Sequence, residues 1–322
     1  MGQATSGYWS WVDRLWSVAP AVYAGFFAWY SPGNPRLMLM AALSGLWAVR
    51  LTFNFWRKGG YGDEEDYRWA VVRGWFAKHD PLHPLGRELF SLAFVALYQH
   101  ALLWLLAAPA ASRVLFFAAA SSESSSASPS SPGGSSSGAL GAWDYALTLA
   151  FLAFLFLETC TDEHQWAFQR AKYALTPAQR ERAGGDLARG FATGGPFRYS
   201  RHLNYFSEQM LWWTFYGFSV VAGAPGGDVA SLASEALRGG ASEMARALVN
   251  PAALGPFLLS LLFLGSTDMT ERLTKAKYPA YSAYQRTTSR LAPWTPGPSL
   301  DSPRGVELVA TARARAQAEK RE

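Results

Sequence analysis

Two arginines, an asparagine and a glutamate stand together between Gly194 and Glu208, GGPFRYSRHLNYFSE, directly before an apolar run. Arg198 and Arg201 are cationic forks of the kind that grips a diphosphate or a ribose phosphate. Tyr199, His202, Asn204 and Tyr205 add hydrogen-bonding groups, and Glu208, four residues beyond Asn204, shares its helical face. Such side chains are costly at the start of a membrane-length helix, and a chain that keeps them there usually has a ligand for them. Arginines at a basic membrane face also snorkel to lipid phosphates. That account suits Asn204 and Glu208 less well, because the helix carries them towards the apolar layer.

Three further clusters hold residues able to do chemistry. In ETCTDEHQWAFQRAK, Glu158, Asp162 and Gln165 follow at helical spacing, so a carboxylate there could hold a ribose hydroxyl or a carboxamide, or pair with Arg170. Glu158, Asp162 and His164 lack any metal-ligand pattern, and no metal is expected. In STDMTERLTKAKYPAYSAYQRTTSR, Glu271 and Lys275 form an i, i+4 pair, and Tyr278, Tyr281 and Tyr284 recur every third residue, as on an interfacial helix. In GGYGDEEDYRWAVVR, Asp63 to Asp66 could close a helix N-terminus, or Asp66, Tyr67 and Arg68 could form part of a lid. His100 sits beside Tyr98 and Gln99 either as a satisfied core residue or as part of a polar trio lining a substrate cavity.

The elements that must position these groups are membrane helices. Apolar residues make up 50% of the 322 and charged residues only 16%, against about 25% charged in a soluble domain. Apolar windows near 16–31, 37–56, 88–108, 141–160, 207–223 and 252–267 predict an all-α, polytopic helical bundle of about six to seven spans. Trp and Tyr gather at the window ends, as interface anchors do. Six spans would divide the Lys and Arg outside them 24 to 4, which makes the basic face cytoplasmic. Cys160 is the single cysteine, which excludes an intrachain disulfide, and no cleavable signal is expected. The expected organisation is an N-terminal membrane part over 1–119, a disordered Ser-rich linker over 120–139, a C-terminal membrane domain over 140–298 and a charged, exposed tail over 299–322.

Together, WVDRLWSVAPAVYA, LWAVRLTFNFWRKGGYGDEEDYRW, TDEHQWAFQ, GPFRYSRHLNYFSEQMLWWTFYGFS and GSTDMTERLTKAKYPAYSAYQR resemble, in order and spacing, the DUF1295 branch of the membrane steroid 5α-reductase superfamily. The family pattern usually has Pro where Leu203 stands, Gly or Ala where Ser207 stands, and often Gln where His164 stands. The resemblance implies a cytosol-facing cavity holding NADPH, lined by Asp162, Arg198, Tyr199, Asn204 and Glu208, with Glu271 and Tyr278 contributing; Arg201 joins them as the second arginine. It also implies reduction of a carbon–carbon double bond conjugated to a carbonyl in a steroid or similar lipid. Tyr67, Tyr98 and Arg50 are the candidates for polarising the carbonyl oxygen. The implied location is the endoplasmic reticulum or another internal membrane, with membrane lipids and a hydrophobic small molecule as partners and no nucleic acid. Two alternatives stay open: an S-adenosylmethionine-dependent methyltransferase of the isoprenylcysteine carboxyl type, and a non-catalytic lipid-binding protein.

Overall fold

The computed structural model describes residues 11–62, 67–79, 85–124, 140–224, 234, 238 and 248–319. The acidic run 63–66 and most of the Ser-rich segment lie outside the described residues. Among the described residues the chain is helical without a strand, its one β contact being an isolated bridge between Ser200 and Ser289. The helices are α1 Trp11–Trp16, α2 Ala19–Tyr30, α3 Pro35–Arg57, α4 Tyr67–His79, α5 Leu85–Phe90 and, after a π-helical stretch Ser91–Tyr98, α6 Gln99–Ser124. Then follow α7 Ala142–Ala174, α8 Pro177–Ala183, α9 Gly185–Arg189, α10 Leu203–Gly223, α11 Leu254–Lys277, α12 Tyr281–Thr287 and α13 Pro303–Ala318.

Among the described residues, four helical stretches are long and apolar enough to cross a membrane: Pro35–Arg57, Leu85–Ser112, Ala142–Ala174 and Pro251–Lys277. They coincide with four of the six apolar windows. The first window falls on α2, whose 12 residues are short of the ~20 a span needs. The fifth falls on α10, with 21 residues, but Asn204, Ser207, Glu208 and Gln209 in its opening turns lower its hydropathy.

By internal contacts the chain divides into two compact units: Met1–Leu152 with Trp212–Leu259, and Ala153–Leu211 with Ser260–Glu322. In the first, Asn34 caps α3 by accepting from the Arg36 and Leu37 amides, with Pro35 at the first helical position. Leu37, Met40, Leu43, Trp47 and Ala48 of α3 are buried at helical spacing. Trp47 meets Trp212 edge-on at 4.9 Å, and Trp212 meets Phe215 at 5.4 Å. Gly255 lets α11 approach α6 closely, since a Cβ there would lie 2.4 Å from the Leu105 carbonyl oxygen. Arg36 and Asp144, both buried, form a bidentate pair, and Asp144 also accepts from the Gly141 amide at 2.9 Å.

In the second unit an apolar core gathers Phe191, Ala280, Tyr281, Ala283, Tyr284, Leu300 and Ala312, with Leu308 and Val309 packed against it. Part of the segment expected as an exposed tail is therefore docked. Ser302 caps α13, and Gly305 fits only because it has no side chain, a Cβ there lying 2.0 Å from the Ser299 carbonyl oxygen.

Candidate functional site

All eight residues expected at a cofactor belong to the second unit. A 3-10 turn, Gly195–Arg198, precedes α10; Gly195 takes φ 55°, and a Cβ there would lie 2.7 Å from the His164 ring. The backbone then pairs with the segment after α12, the Arg201 amide donating to the Ser289 carbonyl at 2.9 Å. This pairing aims Arg201 and His202 at α11.

Arg201 Nε donates to Glu271 Oε1 at 2.7 Å and Nη2 to Oε2 at 3.2 Å, while Nη1 donates to the carbonyls of Gln285 (3.1 Å) and Thr288. Glu271 also faces His202 Nε2 at 3.1 Å and accepts from Gln285 Nε2 at 2.8 Å. The Tyr205 ring stacks on His202 at 5.4 Å and meets the Phe263 ring at a tilt, 4.7 Å away. Arg201 and Glu271 are thus brought together, with each other as partners.

Asp162 and Asn204 are brought together as well, Asn204 Nδ2 donating to Asp162 Oδ1 at 3.2 Å. Asp162 is 6% exposed, and Glu208, one turn beyond Asn204 on α10, is 7% exposed. Arg198 Nη2 donates to the Gly297 carbonyl, and Arg198 has no carboxylate partner among the described residues. Tyr199 is exposed, and its carbonyl accepts from the Trp294 amide at 3.1 Å.

Tyr278 closes a third group. Gly190, at φ 87°, lies so near its ring that a Cβ would stand 2.3 Å from it. Buried Lys172 donates to the Gly190 carbonyl at 2.7 Å. Burial pushes the Tyr278 phenol up, but the ammonium groups of Lys172 and Lys277 outweigh it and hold the phenol below the usual tyrosine value. Burial also pushes Tyr281 and Tyr284 well up, the Glu271 charge adding to it at Tyr281.

A family model described as "Protein of unknown function (DUF1295)" matches residues 2–234. The chain belongs to the DUF1295 family. An uncharacterised protein of Schizosaccharomyces pombe is 32% identical over 300 residues, 90% of this chain and 74% of the relative. No solved structure matches. The DUF1295 match includes Asp162, Arg198, Tyr199, Arg201, Asn204 and Glu208, and ends before Glu271 and Tyr278.

The three residues expected to polarise a carbonyl, Tyr67, Tyr98 and Arg50, belong to the first unit of this DUF1295 chain. Arg50 lies in α3 and Tyr67 opens α4. Tyr98 donates to the Leu258 carbonyl at 3.1 Å, and its neighbour Gln99 is buried, accepting from Trp16 Nε1 at 2.8 Å. His100 is exposed against the Ala96 carbonyl, so each of the polar trio has a protein partner. Lys172, Gly190 and Gln285 escaped sequence reasoning. A lone lysine at the end of a long helix carries no motif, and the ring that Gly190 accommodates is 88 positions away.

Proposed function

We propose that this membrane protein is an NADPH-dependent reductase, delivering hydride to a carbon–carbon double bond conjugated to a carbonyl in a steroid or other lipid. One observation carries most of the weight: Asp162 and Glu208 are buried carboxylates, and Asp162 is bonded to the Asn204 carboxamide. Buried carboxylates are costly unless hydrogen-bonded. An acid–amide set of this kind suits the carboxamide and ribose hydroxyls of a dinucleotide.

The residues fit that group. Asp162, Asn204 and Glu208 would hold its neutral polar parts, and Arg198, with a carbonyl but no carboxylate as partner among the described residues, suits a phosphate. Tyr199 lies next to Arg198, while Arg201 and Glu271 brace each other and the C-terminal end of α12. When bound, the nicotinamide supplies hydride, and the protein supplies position and charge. Tyr67, Tyr98 and Arg50 are the candidates for polarising the carbonyl oxygen; Tyr98 would do so by exchanging its Leu258 partner. The reading includes six spans, a cytosol-facing cavity and an internal membrane such as the endoplasmic reticulum. It draws on the superfamily to which DUF1295 belongs.

A second reading is favoured by one feature. Arg201 is occupied by Glu271 and two carbonyls, which weakens the case for two guanidinium groups on a diphosphate. S-adenosylmethionine has no phosphate and would need neither. Binding to the detergent-solubilised protein separates the two. NADPH should bind at least ~10-fold more tightly than S-adenosylmethionine, and Arg198→Ala should weaken NADPH several-fold with melting unchanged. Arg201→Ala should instead lower the melting temperature. Preference for S-adenosylmethionine would install the methyltransferase reading, and binding of neither would leave a lipid-binding role.

A further inference from the structure

Lys172 presents an unusual balance of charge. It is 5% exposed, yet its ammonium donates to the neutral Gly190 carbonyl and otherwise faces aromatic rings and the Tyr278 hydroxyl. Its Nζ lies 5.0 Å from the Tyr278 ring centre, 5.6 Å from Tyr173 and 5.8 Å from Phe168. Lys277 Nζ stands 5.5 Å from the same Tyr278 ring. Two ammonium groups therefore converge on one phenol, and neither has a carboxylate within ion-pair distance among the described residues. The nearest acid in sequence to this corner, Asp186, is bonded to Arg189, Thr193 and the Gly194 amide.

Buried charge is ordinarily paired, and cation–π contacts return only part of the lost hydration. The corner is also open on one side: Lys277 is exposed, Tyr278 half-buried and Tyr173 75% exposed. It is built rigidly too, since Gly190 fixes the Tyr278 ring and its carbonyl fixes Lys172.

We propose that Lys172, Lys277 and the Tyr278 hydroxyl form a binding site for a phosphate monoester. Two ammonium groups neutralise its charge and the phenol donates to one of its oxygens. Two sources present this chemistry: the 2′-phosphate that distinguishes NADPH from NADH, and the headgroup of phosphatidic acid. The nucleotide source rests on the reductase reading; the lipid source does not. The depressed Tyr278 phenol reports the same excess of positive charge.

The test uses the full chain in detergent and in nanodiscs. With the nucleotide source, NADPH binds at least ~10-fold more tightly than NADH, and Lys277→Met brings the ratio towards one while NADH affinity stays unchanged. With the lipid source, neither nucleotide binds, and native mass spectrometry shows phosphatidic acid retained over phosphatidylcholine, a preference lost in Lys277→Met. That second outcome keeps the site and removes the reductase. Lys172→Met should act as Lys277→Met does. If it fails to fold, the exposed Lys277 still decides. An unchanged nucleotide ratio together with unchanged lipid preference in Lys277→Met overturns the proposal.

Discussion

Arg201 and Glu271 have side chains only 7% and 9% exposed, and a pair so buried holds together only when its remaining hydrogen-bonding capacity is met. His202, Gln285 and the Thr288 carbonyl meet it. Tyr281 and Tyr284 lie in the same surroundings, kept neutral by burial, and this gives the unit an alkaline weakness. A phenol whose folded value is raised contributes stability that is complete below its ordinary value of 10.0 and is lost as pH rises above it. The apparent melting temperature should therefore fall steeply from about pH 10 upward, and less steeply in Tyr281→Phe; equal slopes would refute this assignment. The sequence marked Arg201 and Glu271 as out of place in an apolar region, and both are. It could not show that they lie 70 positions apart only to meet, because register between distant segments leaves no local trace.

Gly190 ends α9 in the left-handed region, and its amide returns to the Asp186 carbonyl at 2.8 Å. Its second task is to make room for the Tyr278 ring, a contact 88 positions away that leaves no trace in the local sequence. Gly190→Ala should destabilise the protein by about 1–3 kcal/mol through backbone strain, and further through displacement of the ring. Gly185, at φ 54° with nothing within 4 Å of a Cβ, supplies the comparison, because alanine there adds strain alone. Thermal unfolding should rank Gly190→Ala well below Gly185→Ala; similar losses would mean that the ring contact contributes nothing. The long helices were the most legible elements, since four apolar windows became four membrane-length helices. The seven-residue α12 and the docking of α13 were less so, both resting on the shared core around Tyr284 rather than on their own periodicity.

The number of crossings decides how charge is distributed across the membrane. With only the four apolar stretches spanning, Lys and Arg outside them divide 9 to 11, which gives no orientation. With α2 and α10 also crossing, those same residues divide 17 to 3. Contacts at the two ends of α10 favour the second arrangement. Within one unit, Arg201 and His202, just before α10, bond Glu271 near the end of α11. Within the other, Tyr216 towards the far end of α10 donates to the Leu248 carbonyl at 2.6 Å and accepts from the Asn250 amide at 3.1 Å, just before α11 begins. A 21-residue helix rises about 32 Å, enough for a hydrocarbon core of about 30 Å. In a Cys160→Ser background, Ala178→Cys and Val249→Cys flank α10, and both positions are exposed. An impermeant maleimide applied to sealed vesicles should label one of them and spare the other, with Ala318→Cys following Ala178→Cys. Labelling of Ala178→Cys and Val249→Cys from the same side would mean that α10 does not cross. The basic loop before it and the tail would then face opposite compartments, and the Arg201–Glu271 pair could no longer belong to a cytosolic face.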